Sequence, residues 1–162
     1  MAVLCPADQA QVVTWTHENI PEDALADDGY ENSPHVTALY GFEPGVTEAE
    51  IRGVARQFGR SAIMQLREVG RFDSNPAYDV LHVKVKSPDL CELNALLVKK
   101  FKVKQTFDFH PHLSLAYVKK GAAAKLDGHC YFQDSLYVLD ELVFSAPESV
   151  RKYSVSLVAD QK

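Results

Sequence analysis

The sequence predicts an α+β domain built from a duplicated unit. Three observations carry that prediction. The heptapeptide Pro34-His35-Val36-Thr37-Ala38-Leu39-Tyr40 returns 77 residues later as Pro111-His112-Leu113-Ser114-Leu115-Ala116-Tyr117. Strand-like and helix-like apolar periods alternate along both halves of the chain. Two of the helical stretches open on clear start signals. One domain spanning residues 1–162 suits this length.

In order, residues 2–4 read as a short strand. Residues 6–20 read as a helix with Pro at its start, turning Val12, Val13 and Trp15 toward a sheet. Residues 21–33 are acidic and contain Asp27-Asp28-Gly29, so they read as a loop, either a lid ahead of the first motif or a merely disordered connection. Residues 35–41 form the first motif strand. Thr47 and Glu50 make a capping box for a helix whose apolar face is Ile51, Val54, Ala55 and Phe58. Gly59 ends it.

Residues 62–72 read as a long strand with Met64, Leu66 and Phe72 on one side and Gln65, Arg67 and Arg71 on the other. Asp73-Ser74-Asn75-Pro76 turns the chain into residues 78–86. There Leu81, Val83 and Val85 oppose Tyr78, His82 and Lys84. Ser87 caps the next helix, Pro88 takes its first position, and Leu90, Leu93, Leu97 and Phe101 face the core. Lys99, Lys100, Lys102 and Lys104 make its end basic, as the helix dipole favours. The second motif strand covers 112–118, residues 122–126 suggest a short helix, and 136–145 with 152–158 suggest a closing strand pair.

The repeated motif carries the chemistry. Of six histidines, only His35 and His112 have Ser or Thr two places on, and both also have Pro before them and Tyr at the same offset after. Read as strands, the motifs place His35 with Thr37, and His112 with Ser114, on shared faces. Their roots lie about 7 Å apart, close enough to converge on one tetrahedral group. Tyr40 and Tyr117 fall on the opposite face by the same alternation and are expected to pack against the far layer. A phosphate fits two imidazoles and two hydroxyls. The hydroxyls of Thr37 and Ser114 donate to its non-bridging oxygens. One imidazole takes a proton from the attacking oxygen and the other protonates the leaving oxygen. An ordinary imidazole pKa of about 6.5 suits both tasks, although the pattern does not say which ring is which.

The pair His35-Val36-Thr37 and His112-Leu113-Ser114, one in each half, resembles the signature of the 2H phosphoesterase superfamily. That family includes 2',3'-cyclic nucleotide phosphodiesterases, the 2',5'-RNA ligases and some virus-encoded enzymes that cut host signalling nucleotides. The resemblance implies two lobes of antiparallel sheet with flanking helices around a central cleft. It also implies His35 and His112 as catalytic residues and Thr37 and Ser114 as phosphate ligands. The expected activity is metal-independent phosphodiester cleavage of a nucleotide, a 2',3'-cyclic phosphate or a cyclic or oligonucleotide signal, with no cofactor. Substrate binding falls to Tyr78, Phe109 and Arg71, with Phe107, Arg67 and Lys84 as further candidates, because bases need aromatic faces and phosphates need cations.

Composition limits the alternatives. A net charge of −5 argues against a general nucleic-acid binder. The charge is uneven: residues 1–50 hold ten acids and no Lys or Arg, while residues 84–125 hold nine Lys against three acids. The basic half offers a local field for an anion. Cys5, Cys91 and Cys130 show no metal spacing and read as reduced thiols in a cytoplasmic setting. No signal peptide or membrane span is expected, and no protein partner is visible.

His110-Pro111-His112 resembles a metal pair but lacks a supporting Asp, Glu or Cys, so no metal is expected. His17, His82 and His129 read as structural. Two further readings use the same groove: a silent RNA- or nucleotide-binding module, and RNA end-joining by the reverse reaction.

Overall fold

The computed structural model describes residues 2–3, 6–43, 45–145 and 151–158. Three helices flank an antiparallel sheet whose strands run in the order β7-β4-β5-β6-β3-β1-β8-β9, with β2 also paired to β6. The strands are β1 (Ala2–Val3), β2 (Leu25–Tyr30), β3 (His35–Val36), β4 (Ala62–Phe72), β5 (Tyr78–Lys86), β6 (His112–Lys119), β7 (Leu136–Leu139), β8 (Glu141–Ser145) and β9 (Arg151–Ser156). The helices are α1 (Pro6–Asn19), α2 (Glu48–Phe58) and α3 (Pro88–Phe101).

The local reasons for the helices are those in the sequence. In α2 the Thr47 hydroxyl accepts from the Glu50 amide while the Glu50 carboxylate accepts from the Thr47 amide, and Gly59 closes the helix in the left-handed conformation. In α3 the Ser87 side chain accepts from the Leu90 amide. Leu90, Leu93 and Leu97 go into the core beside Val54 and Phe58 of α2. Burying aliphatic side chains of this kind contributes roughly 1.5–3 kcal/mol each.

The strands of both halves of the chain belong to one sheet, in which β6 neighbours β3. Only Asp140 separates β7, at one end of the strand order, from β8, next to the other end. The sheet therefore has to curl. This also corrects the reading of 136–145 as one strand. Leu136–Leu139 pairs with β4, and Glu141–Ser145 pairs with β1 and β9.

Three other expectations change. Most of residues 21–33 is not a loop: after a 3-10 turn at Glu22–Ala24, residues 25–30 form β2, which runs beside β6 and matches Tyr30 to Ala116, and residues 31–33 stay irregular. This strand escapes an apolar-pattern reading because Asp27 and Asp28 of its middle are exposed. The first motif strand is short, since β3 stops at Val36. Beyond it the carbonyl of Ala38 accepts from the buried Asn94 side chain of α3 at 2.7 Å. The expected helix at 122–126 is a 3-10 turn at Ala124–Leu126. Leu4 and Cys5 lie outside the described residues. Cys91 and Cys130 are free and exposed.

Candidate active site

The centre of the sheet is the junction of the two motifs. Val36 of β3 pairs with Leu113 of β6 in antiparallel register, and both are fully buried. That register sets His35 beside Ser114 and Thr37 beside His112, so each imidazole neighbours the hydroxyl of the other copy. Side chains alternate along a strand. With Val36 and Leu113 in the core, all four polar residues face the opposite side, where each is half-buried.

The two rings are oriented by the same bond. His35 Nδ1 lies 2.9 Å from the carbonyl of Ser33, and His112 Nδ1 lies 2.9 Å from the carbonyl of His110. A carbonyl only accepts, so Nδ1 carries the hydrogen in both. In the neutral ring this leaves the lone pair on Nε2, the atom then available to exchange a proton. His110 supports His112 through its backbone carbonyl.

A third imidazole stands on the same face. His82 of β5 pairs with Ser114, and Lys84 pairs with His112. The His82 ring stacks on Phe72 at 3.9 Å and meets the His112 ring edge at 5.4 Å, while Phe72 also meets His112 at 4.9 Å. His82 is 4% exposed. A Cβ on Gly70, its partner on β4, would lie 2.7 Å from His82 Nε2, so that position needs glycine. Burial, then the neighbouring His112, push the His82 pKa down to about 4.

A stability prediction follows. The folded pKa of His82 is below its ordinary value, so the unfolded chain binds a proton that the folded chain excludes. Stability should fall as pH drops from about 6.5 toward 4, by on the order of 2 kcal/mol. His82→Gln should flatten that part of a melting-temperature profile. An unchanged slope would show that other groups set it.

Two bulges account for side chains found on the unexpected face. β4 shifts register between Leu66 and Val69, and β6 carries an extra residue opposite the step from Leu81 to His82. Each bulge exchanges the faces beyond it. Phe72, expected beside Met64 and Leu66, turns to the histidine face. Tyr117, expected on the far layer, also turns there and meets Tyr78 edge-on at 5.7 Å. The β6 bulge is held by β2, because the Glu31 amide donates to the Leu115 carbonyl at 2.9 Å. Tyr40 does not pack on a far layer either; it lies beyond the short β3 and is 87% exposed.

A cleft of about 1150 Å³ opens from this face, with Thr37 and His112 in its wall. Tyr78, Phe107, Phe109 and Phe72 line it, as does the ring-bearing residue His110. Arg71 does not. It points to the opposite face, where its Nη1 donates to the buried carboxylate of Asp79 at 2.9 Å. Arg67 is likewise tied to Asp134 at 2.9 Å, and Lys84, although across from His112, has its Nζ 3.0 Å from Glu68.

Among the remaining histidines, His17 stacks on Tyr30 and bonds Asn32, and His129 packs on Trp15. Among the described residues, no group of three or more His, Cys, Asp or Glu is arranged to hold a metal ion, and no helix is long and apolar enough to cross a membrane. Sequence reasoning missed His82, Phe72 and Asn94. Only His82 left a signal: it shares the strand face of Tyr78 and Lys84 in a pattern that already named both.

A family model described as the 2'-5' RNA ligase superfamily matches residues 6–144. The chain belongs to the 2'-5' RNA ligase superfamily. Its fold is similar to several solved structures. TT0787 of Thermus thermophilus is 16% identical, with a TM-score of 0.67 over 99% of this chain and 97% of that one. E. coli LigT complexed with ATP is 16% identical, with a TM-score of 0.61 over 98% and 96%. E. coli LigT complexed with 3'-AMP is 15% identical, with a TM-score of 0.58 over 98% and 96%. No curated protein matches the sequence. Superfamily membership supports an enzyme of phosphoester chemistry in general terms.

Proposed function

We propose that this superfamily member is a metal-independent phosphodiesterase acting on a nucleotide substrate, with His35 and His112 as general acid and base and Thr37 and Ser114 as phosphate ligands. The observation that carries the reading is the antiparallel register of β3 and β6. It brings His35 next to Ser114 and Thr37 next to His112, and both rings are bonded through Nδ1. LigT structures solved with ATP, NADP+ and 3'-AMP support a nucleotide as the ligand class.

On a 2',3'-cyclic phosphate the step balances without other reactants. One neutral imidazole takes a proton from water as the water oxygen bonds to phosphorus. One ring P–O bond breaks, and the other imidazole, protonated at the start, gives its proton to the departing ribose oxygen. The pair ends with its protonation states exchanged. If the attacking group is the substrate's own 2'-hydroxyl, the same residues cut a 3'-phosphodiester and leave a cyclic phosphate. The hydroxyls of Thr37 and Ser114 stabilise the charge that gathers on the non-bridging oxygens. Tyr78 and Phe109 offer aromatic faces to the base.

The test is incubation with cyclic mono-, di- and trinucleotides in EDTA. Turnover should persist in the chelator, with a bell-shaped pH–rate profile in the range where imidazoles titrate. Binding without turnover would favour a nucleotide-binding module, and a flat profile between about pH 5 and 9 would remove the acid–base roles.

A further inference from the structure

The two motifs are copies in sequence but are not held alike. Ser114 lies inside β6, where its neighbour Leu113 pairs with Val36 of β3 and Ser114 itself pairs with His82 of β5. Thr37 has no such support. β3 ends at Val36, so Thr37 is the first residue past the ladder and stands on an irregular segment. Its hydroxyl is aimed only as well as that segment is fixed.

The fixing comes from α3. Asn94 Nδ2 donates to the carbonyl of Ala38 at 2.7 Å, so a carbonyl beyond the ladder finds a side-chain donor in place of a strand. On other grounds Asn is a poor choice there. It sits in the apolar stripe of Leu90, Leu93 and Leu97, where a helix turns its residues to the core, and it is 5% exposed. Asn is a weak helix former, and a buried amide costs stability unless it is bonded. The same side chain lines the cleft with Thr37 and Leu39. α3 is in turn tied to β4 at its start: Ser87 Oγ donates to the Ile63 carbonyl at 2.6 Å, and the Asp89 carboxylate accepts from the Ile63 amide at 2.9 Å. A continuous path of hydrogen bonds and helix therefore runs from β4 to the residue after Thr37.

We propose that Asn94 is a positioning residue: its amide stands in for a missing strand partner and holds Thr37 where a phosphate can be gripped. The phosphate role of Thr37 rests on the phosphodiesterase reading above. Ser114 needs no equivalent, because strands hold it from both sides.

The experiment measures the binding of inorganic phosphate by isothermal titration in Asn94→Leu, alone and combined with Thr37→Val or Ser114→Ala. Leu extends the stripe of Leu90, Leu93 and Leu97, so this variant should fold; Asn94→Asp, which keeps the shape, takes its place if it does not. Asn94→Leu should weaken phosphate binding about tenfold. The same change should have almost no further effect in Thr37→Val and its full effect in Ser114→Ala. A merely structural role would weaken binding alike in both backgrounds. That result, or binding by Asn94→Leu equal to the parent protein's, would overturn the proposal. Hydrogen exchange reads the anchor without any ligand. Amides of residues 37–40 should exchange about tenfold faster in Asn94→Leu, while those of β6 stay as slow as in the parent. If they do, and Thr37→Val still binds phosphate as the parent does, the phosphate role of Thr37 fails and the anchor stands. Unchanged exchange at residues 37–40 overturns the anchor itself.

Discussion

His35→Ala and His112→Ala should each lower kcat by about 10²–10⁴-fold on any substrate the protein cuts. Each variant removes an imidazole that is half-buried at most, so folding should be nearly unaffected and a matched circular dichroism spectrum is the control. The two losses should not add. Acid and base act in one step, so once either is gone the second has little left to assist, and the double variant should fall close to the worse single one. Thr37→Val and Ser114→Ala should cost less, since each takes one donor from the charged phosphate and leaves the proton path intact. The register makes a sharper statement. His35 neighbours Ser114, and His112 neighbours Thr37, so coupling measured by double-variant cycles should be larger across the motifs than within them. Full activity in either alanine variant would remove that histidine from the chemistry.

The largest loss of stability should come from Asp79→Ala. Asp79 is fully buried, and two hydrogen-bond donors and one ion-pair partner converge on its carboxylate. Arg71 Nη1 and the Gly121 amide reach Oδ2 at 2.9 and 2.8 Å, and Lys120 Nζ lies 2.9 Å from Oδ1. Burial alone would raise this carboxyl, but Lys120, the Gly121 amide and Arg71 outweigh it and hold the pKa at about 2. Removing the carboxylate leaves Arg71 and Lys120 facing each other without their shared anion. Breaking such a buried pair costs roughly 3–5 kcal/mol, and the partial exposure of both cations places this case near 3. Because the folded pKa is below the unfolded one, the contribution is fully present above about pH 4 and is lost as pH falls toward 2.

The same cluster has a functional reach. Lys120 Nζ also donates to the carbonyls of Asp73 and Asn75, pinning the β4–β5 turn. Ser74 and Asn75 of that turn line the cleft, next to Phe72 and Tyr78. In Asp79→Asn, which keeps the shape but removes the charge, KM should rise more than kcat falls. A melting temperature equal to that of the parent protein would contradict the structural role of the cluster.

Much of this was legible because it depends on short-range chemistry. The Thr47–Glu50 capping box, Gly59, and Ser87 with Pro88 are local devices, and each helix begins or ends where they say. The alternation of β5 placed Leu81 and Val83 in the core and His82 with Lys84 opposite, as observed. The paired motifs announced the centre of the sheet. What could not be read depends on long-range register. Neither bulge has a residue signature, yet the two of them move Phe72 and Tyr117 across the sheet. Arg71 is cationic and adjacent to Phe72, but its role is set by Asp79 and by Lys120, which is distant in sequence. β2 was hidden because a strand lying along β6 with its middle in solvent needs no apolar period. His82 looked like any lone histidine until pairing brought Ser114 and His112 beside it.

A crystal structure with a nucleoside 3'-monophosphate bound tests the centre of the account most directly. The expected result is one phosphate within hydrogen-bond distance of four groups: Nε2 of His35, Nε2 of His112, and the hydroxyls of Thr37 and Ser114. The nucleoside should extend toward Tyr78 and Phe109. A phosphate bound away from either histidine, with the rings of His35 and His112 untouched, would contradict it.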